Sequence, residues 1–185
     1  MGVTRTPRER WIEEGLRALA DAGPDAVRVE VLAKRLGVTK GGFYGAFADR
    51  GALLTALLET WEREATDDVL ERVEREGGSP ATRARRAGAL TFSDDRLLPI
   101  DLAVRDWARR DPDVAERLRR VDNRRMDLLR EAIGQSVTDP DEIEARSLLA
   151  FCAAIGSHFL AADQRGRARD DILARATEIL FGPAR

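Results

Sequence analysis

The chain has 185 residues, 43% apolar and 35% charged, with 31 Lys plus Arg, 33 Asp plus Glu and a net charge of −2. Those proportions exclude a disordered or strongly basic chain and describe a globular one, long enough for a single core or for a small module beside a larger body. One cysteine, Cys152, cannot form an internal disulfide and fits a reducing cytoplasm, and one histidine, His158, cannot supply a three-histidine metal site.

Nearly every stretch carries helical spacing and none alternates like a strand, so the chain is expected to be all-α with about nine helices. The first spans about residues 8–22, where Ile12, Leu16, Leu19 and Ala20 share a face and Gly23-Pro24-Asp25 ends it. A short helix is expected around 30–36, a second short one after a turn, and a long one from about 49 to Gly77-Gly78. Ser79-Pro80, Asp111-Pro112 and Asp139-Pro140 each place a capping side chain before a proline at the first helical position. They predict helices over about 80–92, 97–110, 112–135, 140–163 and 168–181, with Pro99 breaking or bending the region before residue 100. The longest apolar run, Leu148 to Ala162, falls short of the roughly twenty residues that cross a bilayer. It is read as a buried helix, with His158 a core or interface histidine. The N-terminus lacks the pattern of a signal peptide, so the expected location is cytoplasmic, with no membrane partner.

The residues that carry chemistry lie in VLAKRLGVTKGGFYGAF, positions 31–47. Ala33 and Gly37, followed by Phe43, have the spacing of a helix-turn-helix: a small residue where two helices cross, and a glycine that makes the left-handed turn. Leu32, Leu36, Val38, Phe43 and Phe47 supply a small core, and Thr39 is placed to cap the second helix. Gly41 and Gly42 each disfavour a helix by about 1 kcal/mol relative to alanine, a cost explained if the backbone must lie close to DNA. Lys40 and Tyr44 would reach phosphates or base edges, and Arg50 a phosphate beside the N-terminal amides of the next helix. A phosphate-binding loop is excluded, because its lysine follows the glycines and its loop follows a strand.

Residues 8–61 resemble the N-terminal domain of the TetR/AcrR family of bacterial transcriptional regulators. The resemblance rests on Leu32, Ala33, Gly37, Val38, Thr39, Lys40, Gly41, Phe43, Tyr44, Phe47, Asp49, Arg50 and Leu53. It departs from the family pattern at Gly42, where Ser or Thr is usual, at Ala46, where His or Tyr often contacts phosphate, and at Arg28, near a usual capping Thr. The expected DNA-contacting set is Arg28, Thr39, Lys40, Gly41, Gly42, Tyr44 and Arg50.

The resemblance also implies a domain boundary, with a helix-turn-helix domain over residues 1–48 and a helical effector-binding and dimerisation domain over 49–185. The residues agree in part, since the helix around 147–162 is apolar all round and must be covered on both sides. Ile155, Phe159, Ile172, Ala176, Ile179 and Leu180 are the candidate dimer interface, a four-helix arrangement between two copies. Trp61, Phe92, Leu97, Trp107, Met126 and Phe151 are candidates to line an effector pocket. The function expected is a homodimeric repressor on a pseudo-palindromic double-stranded operator, released by an unknown small apolar or amphipathic ligand. The alternative is a constitutive regulator or activator without effector. No nucleophile–base pair or metal cluster is visible, so no enzyme, cofactor or metal is expected.

Overall fold

The computed structural model describes residues 6–182. Among them are ten α-helices, one 3-10 turn and no strand. The helices are α1 (Arg8–Ala22), α2 (Val29–Leu36), α3 (Lys40–Tyr44), α4 (Arg50–Ala65), α5 (Asp67–Glu76), α6 (Pro80–Phe92), α7 (Leu97–Ala108), α8 (Pro112–Ile133), α9 (Pro140–Gly156) and α10 (Arg169–Phe181).

The three expected proline-led starts are all present. Ser79 accepts from the Thr82 amide at 3.2 Å, Asp111 from the Asp113 and Val114 amides at 3.1 and 3.3 Å, and Asp139 from the Asp141 amide at 3.0 Å. Three expectations need correcting. The long helix from 49 is two helices, because Thr66 leaves helical geometry (φ −128°, ψ −75°) while its hydroxyl donates back to the Glu62 carbonyl at 2.6 Å. Pro99 does not interrupt α7, since it lies in the first turn, where its missing N–H has no helical acceptor to lose. The helix expected over 140–163 ends at Gly156. There the His158 and Phe159 amides turn to i−3 carbonyls, and Arg169 donates to the Ser157 carbonyl that another helical turn would have used.

Packing divides the chain into two compact units. The first comprises residues up to 67 and 95–121, the second 68–94 and 122–185. In the first unit α1 packs on α2, α4 and α7 around Trp11, Leu16, Leu19, Leu32, Phe43, Leu53, Leu57 and Trp61, none more than 1% exposed. Burial of each such side chain stabilises by about 1.5–3 kcal/mol. A Cβ at Gly15 would stand 2.9 Å from Leu57 Cδ2, so glycine sets the close approach of α1 and α4. Arg96 ties the start of α7 to both, donating to Glu13 at 2.8 Å and Glu64 at 2.7 Å. The carboxylate of Asp101, wholly buried, accepts from the Trp61 indole at 3.2 Å and from Arg105 at 2.8 Å.

The second unit has a leaner core, built on Val69, Val73, Ala84, Ala87, Met126, Ala132, Ile133 and Val137. Arg130 forks onto Glu144 at 2.7 and 2.8 Å, joining α8 to α9. Arg146 of α9 and Ser136 satisfy the carbonyls at the end of α10, at Gly182 (2.6 Å) and Phe181 (2.8 Å) respectively. The apolar run expected to be buried is largely exposed in the single chain: Leu148, Leu149, Phe159 and Leu160 are each more than half open to solvent, and Ser147 is the one buried residue of α9. The outer face of α9 is therefore open to solvent in the single chain.

Candidate nucleic-acid interface

The turn between α2 and α3 is made at Gly37, whose φ of 68° and ψ of 30° are left-handed. That geometry receives bonds from the Gly37 and Val38 amides to the last carbonyls of α2, closing the helix as a glycine C-cap does. The following five-residue α3 is too short to be stable alone and is held by its aromatic side chains. Phe43 is fully buried, meeting Trp11 edge-on at 5.4 Å and stacking on Phe47 at 5.5 Å. Leu32 and Ala33 are buried beside them, whereas Leu36 and Val38 are only half-buried.

On the opposite side of α3 the surface is open. Tyr44 meets Phe43 edge-on at 5.4 Å but is 58% exposed, so its ring is braced while its hydroxyl faces solvent. A Cβ at Gly41 would approach nothing nearer than the Thr39 hydroxyl at 3.8 Å, and one at Gly42 nothing nearer than Trp11 at 3.9 Å. Neither contact would be a clash, so no neighbour within the chain requires glycine at either position.

The remaining expected contacts are placed differently from one another. Thr39 is the residue before α3, yet its side chain makes no capping bond. Arg28 precedes α2 and donates to the Asp25 carbonyl at 3.1 Å, so α2 also lacks a side-chain cap. Arg50 donates to the Val27 carbonyl at 2.7 Å and to the Pro24 carbonyl, tying α4 to the loop before α2. One amide at the start of α4 is occupied too, since Asp49 accepts from Ala52 at 2.8 Å. Lys40 is paired with Glu30 across the turn. That pairing raises the Lys40 ammonium above its ordinary value and lowers the Glu30 carboxyl, chiefly through the hydrogen bond they share. Sequence reasoning missed Glu30, and also Arg8, whose guanidinium lies 4.8 Å over the Phe47 ring at the edge of this face. Both contacts join residues ten or more positions apart, which helical periodicity does not report.

In the body, Trp61, Leu97 and Trp107 belong to the first unit and are buried there, the Trp107 indole donating to Asp111 at 3.2 Å. Phe92, Met126 and Phe151 belong to the second, where Phe92 meets Phe151 edge-on at 6.3 Å and Arg125 lies 5.4 Å over the Phe92 ring. His158 is exposed in the single chain, its ring 6.5 Å from Phe92, which corrects the core half of its reading as a core or interface histidine. Of the interface candidates, Phe159 and Ile179 are 68% and 62% exposed, and Ile155, Ile172, Ala176 and Leu180 are half-buried. Among the described residues no group of His, Cys, Asp or Glu could hold a metal ion, and no helix is long and apolar enough to cross a membrane.

Residues 12–57 match the family model of bacterial regulatory proteins, tetR family. No curated protein matches the chain. Among solved structures, a Saccharomonospora viridis protein in complex with choline superposes with a TM-score of 0.75 at 18% identity, covering 94% of each chain. AibR in complex with isovaleryl coenzyme A and operator DNA gives 0.66 at 19% identity, covering 96% of this chain and 100% of that one. FadR from Bacillus subtilis in complex with stearoyl-CoA gives 0.67 at 13%, covering 97% and 100%. These likenesses establish the fold over nearly the whole length.

Proposed function

With an N-terminal domain, residues 12–57, that belongs to the tetR family of bacterial regulatory proteins, we propose that the chain is a homodimeric transcriptional repressor released from its operator by a small apolar or amphipathic ligand. One observation carries the DNA-binding part: α3 is anchored through the buried Phe43 and Phe47 while Tyr44, Gly41 and the start of the helix remain open. A short helix fixed on one side and bare on the other suits entry into a major groove. Lys40 and Tyr44 are its polar reach, with Gly41 and Gly42 allowing close backbone approach. Arg50 and Arg28 act mainly as scaffold, because their guanidinium groups already hold protein carbonyls.

The exposed apolar residues Leu148 of α9, Phe159 just beyond it and Ile179 of α10 mark the surface a second copy would cover. A two-fold dimer then presents two reading heads to a pseudo-palindromic operator. Ligand release is supported by the complexes that similar folds make with choline, isovaleryl coenzyme A and stearoyl-CoA. A ligand acts by favouring a protein state whose reading heads do not match the operator.

The test is selection of a duplex from a randomised pool by the full chain, followed by gel shifts and a reporter gene placed behind the selected sequence. The expected result is a pseudo-palindrome whose occupancy lowers reporter expression. Bound DNA insensitive to a broad panel of apolar and acyl ligands would instead support a constitutive regulator. Failure to enrich any sequence would overturn the DNA-binding reading.

A further inference from the structure

Lys40 opens α3, and its ammonium is held by the carboxylate of Glu30, in the first turn of α2. Both side chains face solvent, at 52% and 64% exposure, so packing does not force the pair. Their meeting follows from the left-handed turn at Gly37, which folds the start of α3 back toward the start of α2. Tyr44 and Arg28 are the other charged or titratable groups that influence the pair.

We propose that Glu30 is a specificity-determining residue of the DNA-reading face, holding Lys40 back from duplexes that offer phosphate alone and releasing it where an operator also engages Tyr44 and the open backbone at Gly41. The proposal rests on the reading of residues 28–50 as a DNA-reading head. Non-specific affinity comes almost wholly from cations that neutralise phosphates. Lys40 adds to it only by leaving Glu30, and the carboxylate left behind then faces a polyanion. An operator offsets that cost with contacts to base edges, which a random duplex does not supply. The pair is exposed and therefore weak, so the effect is graded and not an on–off switch.

The experiment compares the full-length chain with Glu30→Gln, Lys40→Ala and the double variant, on two probes. One is the duplex that the wild-type chain enriches from a randomised pool; the other is poly(dI-dC). Circular dichroism and thermal melting confirm that each variant is folded, which the exposure of both side chains favours. Glu30→Gln is expected to raise affinity for poly(dI-dC) by about threefold to fivefold, the scale of an exposed ion pair. Operator affinity rises less, so the ratio of the two falls. The salt slope on poly(dI-dC) steepens by about one phosphate contact. In the Lys40→Ala background the glutamate substitution is expected to change the ratio no further. An unchanged or increased ratio in Glu30→Gln overturns the proposal, as does an equal effect with and without Lys40, which would make Glu30 a mere surface charge. If no duplex is enriched at all, the DNA-binding reading fails first, and the proposal falls with it.

Discussion

Trp61 of α4 donates its indole N–H to the fully buried carboxylate of Asp101 of α7 at 3.2 Å, while the second oxygen of Asp101 accepts from Arg105 at 2.8 Å. A buried carboxylate is tolerable only when its acceptor sites are used, so Asp101 joins Arg96 in fixing the register of these helices. Asp101→Ala is expected to destabilise by about 3–5 kcal/mol, the range for removing one partner of a buried ion pair. Asp101→Asn keeps an acceptor for Trp61 and loses less. Urea unfolding followed by tryptophan fluorescence measures both, and a loss below 1 kcal/mol for alanine would remove Asp101 from the core framework.

Lys40→Ala and Tyr44→Ala are each expected to weaken operator binding by about tenfold, through a lost phosphate contact for Lys40 and a lost base contact for Tyr44. Neither side chain is needed for the fold, because Tyr44 is 58% exposed and Lys40 is paired only on the surface. Gel shifts paired with melting curves check this. Unchanged affinity in both variants would reassign the contacts.

Phe43→Ala acts by a different route. It removes the ring that joins α3 to Trp11 and Phe47, at a cost of about 3–5 kcal/mol for a buried aromatic. DNA binding is expected to be lost along with amide-exchange protection of residues 40–47. Loss of binding with protection intact would mean that Phe43 itself reaches DNA.

The exposed apolar residues of α9, of the segment that follows it and of α10 set the oligomeric state under the proposed function. Leu148→Glu combined with Phe159→Glu is expected to convert a dimer to a monomer in sedimentation equilibrium while leaving helical content unchanged, since both residues are exposed in the single chain. A wild-type monomer at micromolar concentration would sink the dimer.

Acid should weaken the fold through identifiable carboxylates. Glu13 is held below the ordinary carboxyl value of 4.5, first by its hydrogen bond to Arg96, and Glu144 likewise by Arg130. A carboxyl lowered in the folded state stabilises it at pH above the unfolded value and gives up that contribution as pH falls through the lowered one. Unfolding midpoints are therefore expected to drop as pH falls below 4.5, with these groups contributing no slope near neutrality. Arg96→Ala should flatten the acid limb. Denaturant midpoints of both proteins at neutral pH and at about pH 3.5 give the comparison.

Short-range chemistry is what the sequence made readable. Ser79, Asp111 and Asp139 cap helices because the capping oxygen and the amide it meets lie two or three residues apart. Gly37 was legible for the same reason. The first-helix periodicity found Leu16 and Leu19 but passed over Trp11, which carries the contact to Phe43. Thr66 was invisible because a lone threonine inside an apolar pattern rarely ends a helix. At the candidate site the residue types were legible and their pairings were not: Arg50 and Lys40 both read as free cations, yet one holds Pro24 and Val27 and the other Glu30. Such partners are chosen by the turn and by helix crossing, which no local pattern encodes.

Gly15 lies where α1 meets α4, against the fully buried side chain of Leu57. The packing of those two helices thus depends in part on a residue with no side chain. A methyl group added there has to be met by a movement of the Leu57 side chain or of α4 itself, the helix whose first residue, Arg50, holds the loop before α2. Under the proposed function, operator preference is therefore open to change through a buried residue that no footprint would record.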